Sequence, residues 1–245
     1  MTTSLLNAPS RLSLPQALPW RKVLPRPSLC DRDAFLLAMA QGKRVLHVGA
    51  TDAPLTEDRL QTGELLHLKL RRVASALTGV DIDEPSVQRL RETTGVDDVL
   101  LADMTDLPEA LNPRLCEPFD LIYCCDVIEH VSNPGQLLAG LRRLCPSHGR
   151  VVITTPNALS LKGALRPFFL GKEFAHPDHV AYFSFSTLAT LMRRHGLEPT
   201  GYGVFAYPTP NAFAASVFNG LYRLSPSSAE GFFLIGEPAT EITAQ

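Results

Sequence analysis

The chain has 245 residues, of which 45% are apolar and 20% charged, and its formal net charge is −2. That composition excludes a disordered chain and gives no reason to expect a nucleic-acid polyanion as the main partner. Its five cysteines, Cys30, Cys116, Cys124, Cys125 and Cys145, form no CxxC pair, and no apolar run reaches the roughly 18 to 20 residues of a membrane span. A reducing, cytoplasmic setting is the expectation.

Residues 1–30, rich in Pro, Ser and Leu without periodicity, read as an irregular N-terminal arm, and 31–245 as a single domain. Asp31 is placed to cap a helix ending at Gln41 with Gly42 as its stop. Strand-like runs follow at Arg44–Val48, Ala76–Val80, Val99–Leu101, Phe119–Cys124 and Arg150–Thr154. Asn133-Pro134 opens a helix carrying a stripe of leucines, and Ser186 reads as the cap of another that stops at Gly196. Two more runs, Tyr202–Ala206 and Phe232–Gly236, bring the strands to seven, with a helical segment around Ala212–Tyr222 between them. Short buried strands alternating with helices predict an α/β fold: a doubly wound, mostly parallel, Rossmann-like sheet of seven strands. Segment 158–185 reads as a lid over an acceptor, and 208–231 as an insertion before the last strand.

In such a sheet ligands bind beyond the carboxyl ends of the strands, so the residues after each strand carry the chemistry. An acceptor-only carboxylate at the second strand tip, Asp81, suits a ribose diol, and Asp103 after the third suits an adenine amine. Turn formation and helix capping are the competing uses of either aspartate alone.

The ordered set resembles the class I S-adenosylmethionine-dependent methyltransferases over about residues 40–200. The resemblance rests on Val45-Leu46-His47-Val48-Gly49, on Gly79-Val80-Asp81-Ile82, and on Asp103. It continues through Phe119–Tyr123 with Asp126-Val127-Ile128-Glu129-His130-Val131, and through Gly149–Asn157. It implies S-adenosylmethionine as cofactor and S-adenosylhomocysteine as product, a last strand running antiparallel, and cofactor contacts at His47, Gly49, Ala50, Thr51, Asp81, Ile82, Asp103, Met104, Cys125 and Asp126. The glycine motif departs from the family pattern: only Gly49 is kept, Thr51 and Ala53 stand where glycines are usual, and His47 replaces an acid. A degenerate binding module without turnover is therefore one alternative. A nicotinamide-dependent oxidoreductase is disfavoured because no three-glycine pyrophosphate cradle is present.

On the acceptor side, Asp126, Glu129 and His130 fall on one side of any helical turn there. His130, with a pKa near working pH, reads as a proton acceptor, joined by His179, with Asn157 and His176 assigned to the acceptor. Structural packing of His130 is the competing reading. The small-RNA 2′-O-methyltransferases are similar in this motif and hold magnesium there, which would make Asp126, Glu129, His130 and His179 metal ligands. The same Glu-His pair occurs without a metal in ubiquinone-biosynthesis O-methyltransferases, so the expectation is no resident metal. The function expected is O-methylation of a small molecule by a monomer or homodimer, with metal-assisted RNA methylation as the alternative.

Overall fold

The computed structural model describes residues 24–173, 175–209 and 211–239, so most of the expected N-terminal arm lies outside the described residues. The strands are β1 (Ser28–Leu29), β2 (Arg44–Val48), β3 (Ala76–Asp81), β4 (Val99–Leu101), β5 (Leu121–Cys125), β6 (Arg150–Pro156), β7 (Leu197–Phe205) and β8 (Gly231–Pro238). They form one eight-stranded sheet in the order β1-β7-β8-β6-β5-β2-β3-β4. β8 is antiparallel to both β6 and β7, and all other pairings are parallel. Eight strands replace the seven expected, because Ser28–Leu29, assigned to the irregular arm, pairs with Gly203–Val204 at the outer edge.

The central strands β2 and β5 are buried on both faces, as parallel strands covered by helices must be. Alternate side chains feed two cores. Leu46, Val48, Ile122 and Cys124 face Leu137, Leu138 and Leu141 of helix α6 (Pro134–Leu144) and Leu188 and Met192 of α8 (Phe185–Arg194), with the helices numbered in chain order. Val45, Leu121 and Tyr123 face Leu36 and Ala40 of α1 (Arg32–Ala40) and Leu66 and Leu70 of α3 (Leu66–Arg71). Each fully buried leucine contributes about 1.5–3 kcal/mol. The Tyr123 hydroxyl donates to the Leu36 carbonyl at 2.8 Å and ties α1 to the sheet.

Helix starts follow local chemistry. Asp31 accepts from the Ala34 amide, and Asn133 caps α6 ahead of Pro134. The cap of α8 is Ser184, in a reciprocal box with Thr187, and not Ser186 as expected. The 158–185 segment is not all loop: α7 (Leu161–Leu170) lies within it, capped by Ser160. Between β7 and β8 stands α9 (Ala212–Leu224). No helix among the described residues is long and apolar enough to cross a membrane.

Candidate functional site

The chain runs β2, β3, β4 to one side of the sheet and then β5, β6 to the other, so the order reverses between β2 and β5. A cavity of about 1350 Å³ opens there, lined by the strand tips on one side and by α7, His176, His179 and Tyr182 on the other. At its floor Gly49 turns the chain with φ +77° and donates its N–H to Val80. A Cβ at residue 49 would stand 2.4 Å from Val127 Cγ2, so the glycine is demanded by packing across the switch point as well as by its backbone. Ala50 is fully buried beside it and also lines the cavity.

Asp81 lines the cavity at the tip of β3. Its Oδ2 accepts from the Thr51 N–H at 2.9 Å and the Thr51 hydroxyl at 2.8 Å, and Oδ1 accepts from the Asp83 N–H at 3.0 Å. Three of roughly four acceptor positions are thereby used. Thr51, read from sequence as a direct cofactor contact, is instead fully buried and orients this carboxylate. Asp103 accepts from the Thr105 N–H and hydroxyl, both at 2.7 Å, on one oxygen. Met104 is buried and Ile82 largely exposed, and both line the cavity.

His47 is buried and belongs to a relay invisible in the sequence. Asp98 accepts from His67 Nε2 at 3.0 Å and from Arg71 at 2.8 Å, and His67 Nδ1 lies 3.3 Å from His47 Nδ1. One of the two Nδ1 atoms must donate and the other accept, so the tautomers of the two rings are coupled. Among the described residues His47 Nε2 has no hydrogen-bond partner, and burial, then His67 and Arg32, holds the His47 pKa well below the usual imidazole range. Gly79 makes room for the relay, since a Cβ there would meet His67 Cε1 at 2.7 Å.

Asp126 sits at φ +53° after β5. It is ion-paired to Arg32 from α1, and its Oδ1 accepts from Thr154 at 3.0 Å and from Tyr207 at 3.4 Å. Neither Arg32 nor Tyr207 carried any signal in the sequence; both reach the site through tertiary packing. Cys125 lines the cavity as a neutral thiol, its pKa pushed up to about 12 by burial.

The three residues expected to share one side of a turn go separate ways. Ile128–His130 is a 3₁₀ turn in which Glu129, 1% exposed, accepts from Thr155 at 2.9 Å, while Asp126 is held by Arg32. His130 instead meets His179 and His176, with ring centroids 4.6 and 5.3 Å away. The Glu129 carbonyl accepts from the Val180 and Ala181 amides at 2.9 and 3.2 Å, which brings the His176–His179 segment against the turn. Among the described residues, one ligand atom from each of His130, His176 and His179 falls within 4.8 Å of the others. The set expected from sequence, with Asp126 and Glu129, is not what gathers. Asn157, assigned to the acceptor, spends its amide on the Ser227 and Ala229 carbonyls, both at 2.9 Å, and its Oδ1 on the Leu159 amide. Its work is to tie β6 to the segment before β8. Lys162, within the segment read as a lid, is buried at the cavity wall between Glu230 at 3.0 Å and Thr209 at 2.7 Å.

Burial, reinforced by Asp126, pushes the Glu129 pKa up to about 8. The folded protein therefore binds this proton more tightly than the unfolded chain. The linked stability is full below the ordinary carboxyl pKa of 4.5 and is lost as pH rises through about 8. Glu129→Gln should flatten this decline in the thermal midpoint between about pH 5 and 8. An identical decline in the variant would assign it to another group.

A methyltransferase-domain family matches residues 25–201, more than half of the chain. The chain belongs to that family. Residues 25–201 are accordingly a methyltransferase domain, carried on a Rossmann-like sheet. A ubiquinone biosynthesis O-methyltransferase of Bordetella pertussis is 27% identical over 167 residues, covering 65% of this chain and 64% of that protein. The chain thus spans less than two thirds of that relative's length. An S-adenosylmethionine-dependent methyltransferase of Mesorhizobium loti superposes with a TM-score of 0.52 at 14% identity, covering 82% of this chain and 95% of that one. The magnesium protoporphyrin IX methyltransferase of Synechocystis, crystallised with S-adenosylhomocysteine, gives 0.51 at 14% identity over 84% and 80%. At such identities these two structures speak for the fold alone.

Proposed function

We propose that the protein methylates an oxygen of a small-molecule acceptor, with His130 and His179 taking the proton that the acceptor hydroxyl must lose. The observation that carries this reading is the pair of imidazoles facing one another across the cavity wall opposite the strand tips. The relative named as an O-methyltransferase supports it.

The strand tips fit the cofactor. Asp81 and Asp103 offer the carboxylates that a ribose diol and an adenine amine require, flanked by Ile82 and Met104. His47 lines the cavity with Nε2 left over for a polar group of the methionine part. Gly49, Ala50, Cys125 and Asp126 form the floor beneath the sulfur, and Thr51 acts by orienting Asp81. When bound, the cofactor supplies an electrophilic methyl group on a sulfonium. The protein's share is alignment of the acceptor oxygen, exclusion of water and acceptance of its proton. Lys162, Gly163 and Arg166 of α7, with His176, wall the acceptor side, which gives 158–185 its role as a lid.

Burial and the neighbouring imidazoles push both His130 and His179 below the ordinary value of 6.5. Both are therefore neutral bases at pH 7. The expected pH profile of kcat/KM is flat from about pH 7 upward and falls on the acid side with an apparent pKa under 6.5. His130→Ala should lower kcat by about 10²- to 10⁴-fold without weakening cofactor binding. Wild-type turnover in that variant would remove the base. Dialysis against a chelator should leave the rate unchanged, because transfer to an imidazole needs no cation. A loss restored by zinc would replace this reading with a metal-assisted one through the three histidines. Supplying hydroxylated acceptors with labelled cofactor and locating the methyl by mass spectrometry tests the oxygen assignment; label on nitrogen or carbon would overturn it.

A further inference from the structure

Ten of the thirteen large apolar side chains exposed among the described residues fall in two segments, 159–182 and 213–224. Elsewhere on the molecule exposed apolar residues are scattered singly, which is ordinary for a folded domain. Here they are organised. Helix α7 turns Lys162 and Pro167 to the cavity, while Phe168 and Phe169 at its end are 77% and 70% exposed, followed by Leu170. Helix α9 buries Tyr222 and packs Phe218 on the core, and Lys162 of α7 lies over the Phe218 ring at 5.0 Å. The two helices are therefore neighbours. On α9, Phe213, Val217, Leu221 and Leu224 recur at intervals of four, four and three and remain exposed, Phe213 at 80% and Leu224 at 84%.

The charges carried by the two helices themselves have one sign: Lys162 and Arg166 on α7 and Arg223 on α9. No acid occurs between Glu129 and Glu173, nor between Glu198 and Glu230. Of the two acids that end these stretches, Glu230 turns inward to buried Lys162, while Glu173 is exposed at the rim of the cavity, beyond the end of α7. The basic residues Lys172 and Arg223 are exposed beside the apolar ends of the helices. A two-fold contact of α7 and α9 with a second copy would bring the helices against themselves, cation facing cation with no acid on either helix to pair them. Phosphate headgroups would neutralise the same cations while the aromatic and leucine side chains enter the acyl boundary.

We propose that α7 and α9 form a surface that seats the protein on an anionic bilayer, next to the acceptor side of the cavity. The inference is independent of which acceptor is methylated. Its test is flotation of the full chain with vesicles of phosphatidylcholine alone, or of phosphatidylcholine and phosphatidylglycerol in equal parts. The protein should float with the anionic vesicles and much less with the neutral ones. Phe168→Ser with Phe169→Ser, and separately Phe213→Ser with Leu224→Ser, should each weaken binding about tenfold or more, since the driving force is apolar area removed from water. Lys172→Glu with Arg223→Glu should weaken it at low salt and lose that effect at high salt. Cofactor binding and thermal midpoint should stay at wild-type values in all three, which separates failure of the surface from failure of the fold. Absence of flotation by the wild-type chain, or equal flotation of the variants, overturns the proposal. A wild-type dimer that the apolar variants turn into monomers, without vesicle binding, would overturn it and give the surface to a second copy.

Discussion

Gly49→Ala should cost about 2–5 kcal/mol of folding stability, a large share of the roughly 5–15 kcal/mol that holds a domain together. Two terms add. A left-handed backbone costs a residue with a Cβ about 1–2 kcal/mol, and φ here is +77°. The new methyl also arrives 2.4 Å from Val127 Cγ2, in a floor that is already closed, and overpacking of that kind costs about 1–3 kcal/mol. Urea denaturation measures the sum. Combining the change with Val127→Ala removes the collision and leaves the backbone cost, so the double variant should recover part of the loss relative to the two single changes added together. Strict additivity would show that Val127 is not what excludes a side chain at residue 49.

Asp81→Ala should weaken binding of S-adenosylhomocysteine by about 10- to 100-fold, the worth of one hydrogen bond to an ionised carboxylate in a partly buried site. The magnitude is set by the acceptor count, because Thr51 and Asp83 already occupy three positions on this carboxylate. The same substitution leaves the Thr51 N–H and hydroxyl without their partner, so the thermal midpoint should fall as well. Thr51→Val separates the two effects. It removes the hydroxyl but keeps the N–H, frees one oxygen position, and should leave affinity equal to or better than wild type. Calorimetry on folded variants reads both. An unchanged affinity in Asp81→Ala places the ribose elsewhere, and a severe loss in Thr51→Val returns Thr51 to direct contact.

What the sequence made legible was whatever local chemistry decides. Arg44–Val48 is recognisable because a strand buried on both faces must be apolar throughout, and Asn133-Pro134 because a cap and a proline at the first helical turn act within four residues. Asp81, Asp103 and His130 could be singled out because strand tips in this topology are where ligands come. Tertiary choices were not legible. Ser184 and Ser186 are both plausible caps, and the reciprocal bond with Thr187 decides between them. The strand expected from Tyr202 begins at Leu197, and the register shift between Pro199 and Gly201 lets it run through both residues. Helix α7 was masked by Pro167 inside it. The Asp98–His67–His47 relay joins residues up to 51 apart in the chain, and no spacing rule reaches that far. His176 and His179 were found by composition, but their meeting with His130 depends on two backbone bonds to the Glu129 carbonyl.

The two-residue strand β1 has a consequence out of proportion to its length. Without Ser28–Leu29, the nine-residue β7 would be the outermost strand of the sheet, offering unpaired amides and carbonyls at Gly203 and Val204 to any extended chain that came near. Those residues, followed by the Cys30 amide on the Val204 carbonyl at 3.0 Å, occupy that template from within the same molecule. The segment before α1 thus works as a guard against sticking between molecules, and its detachment would be felt first as a loss of solubility.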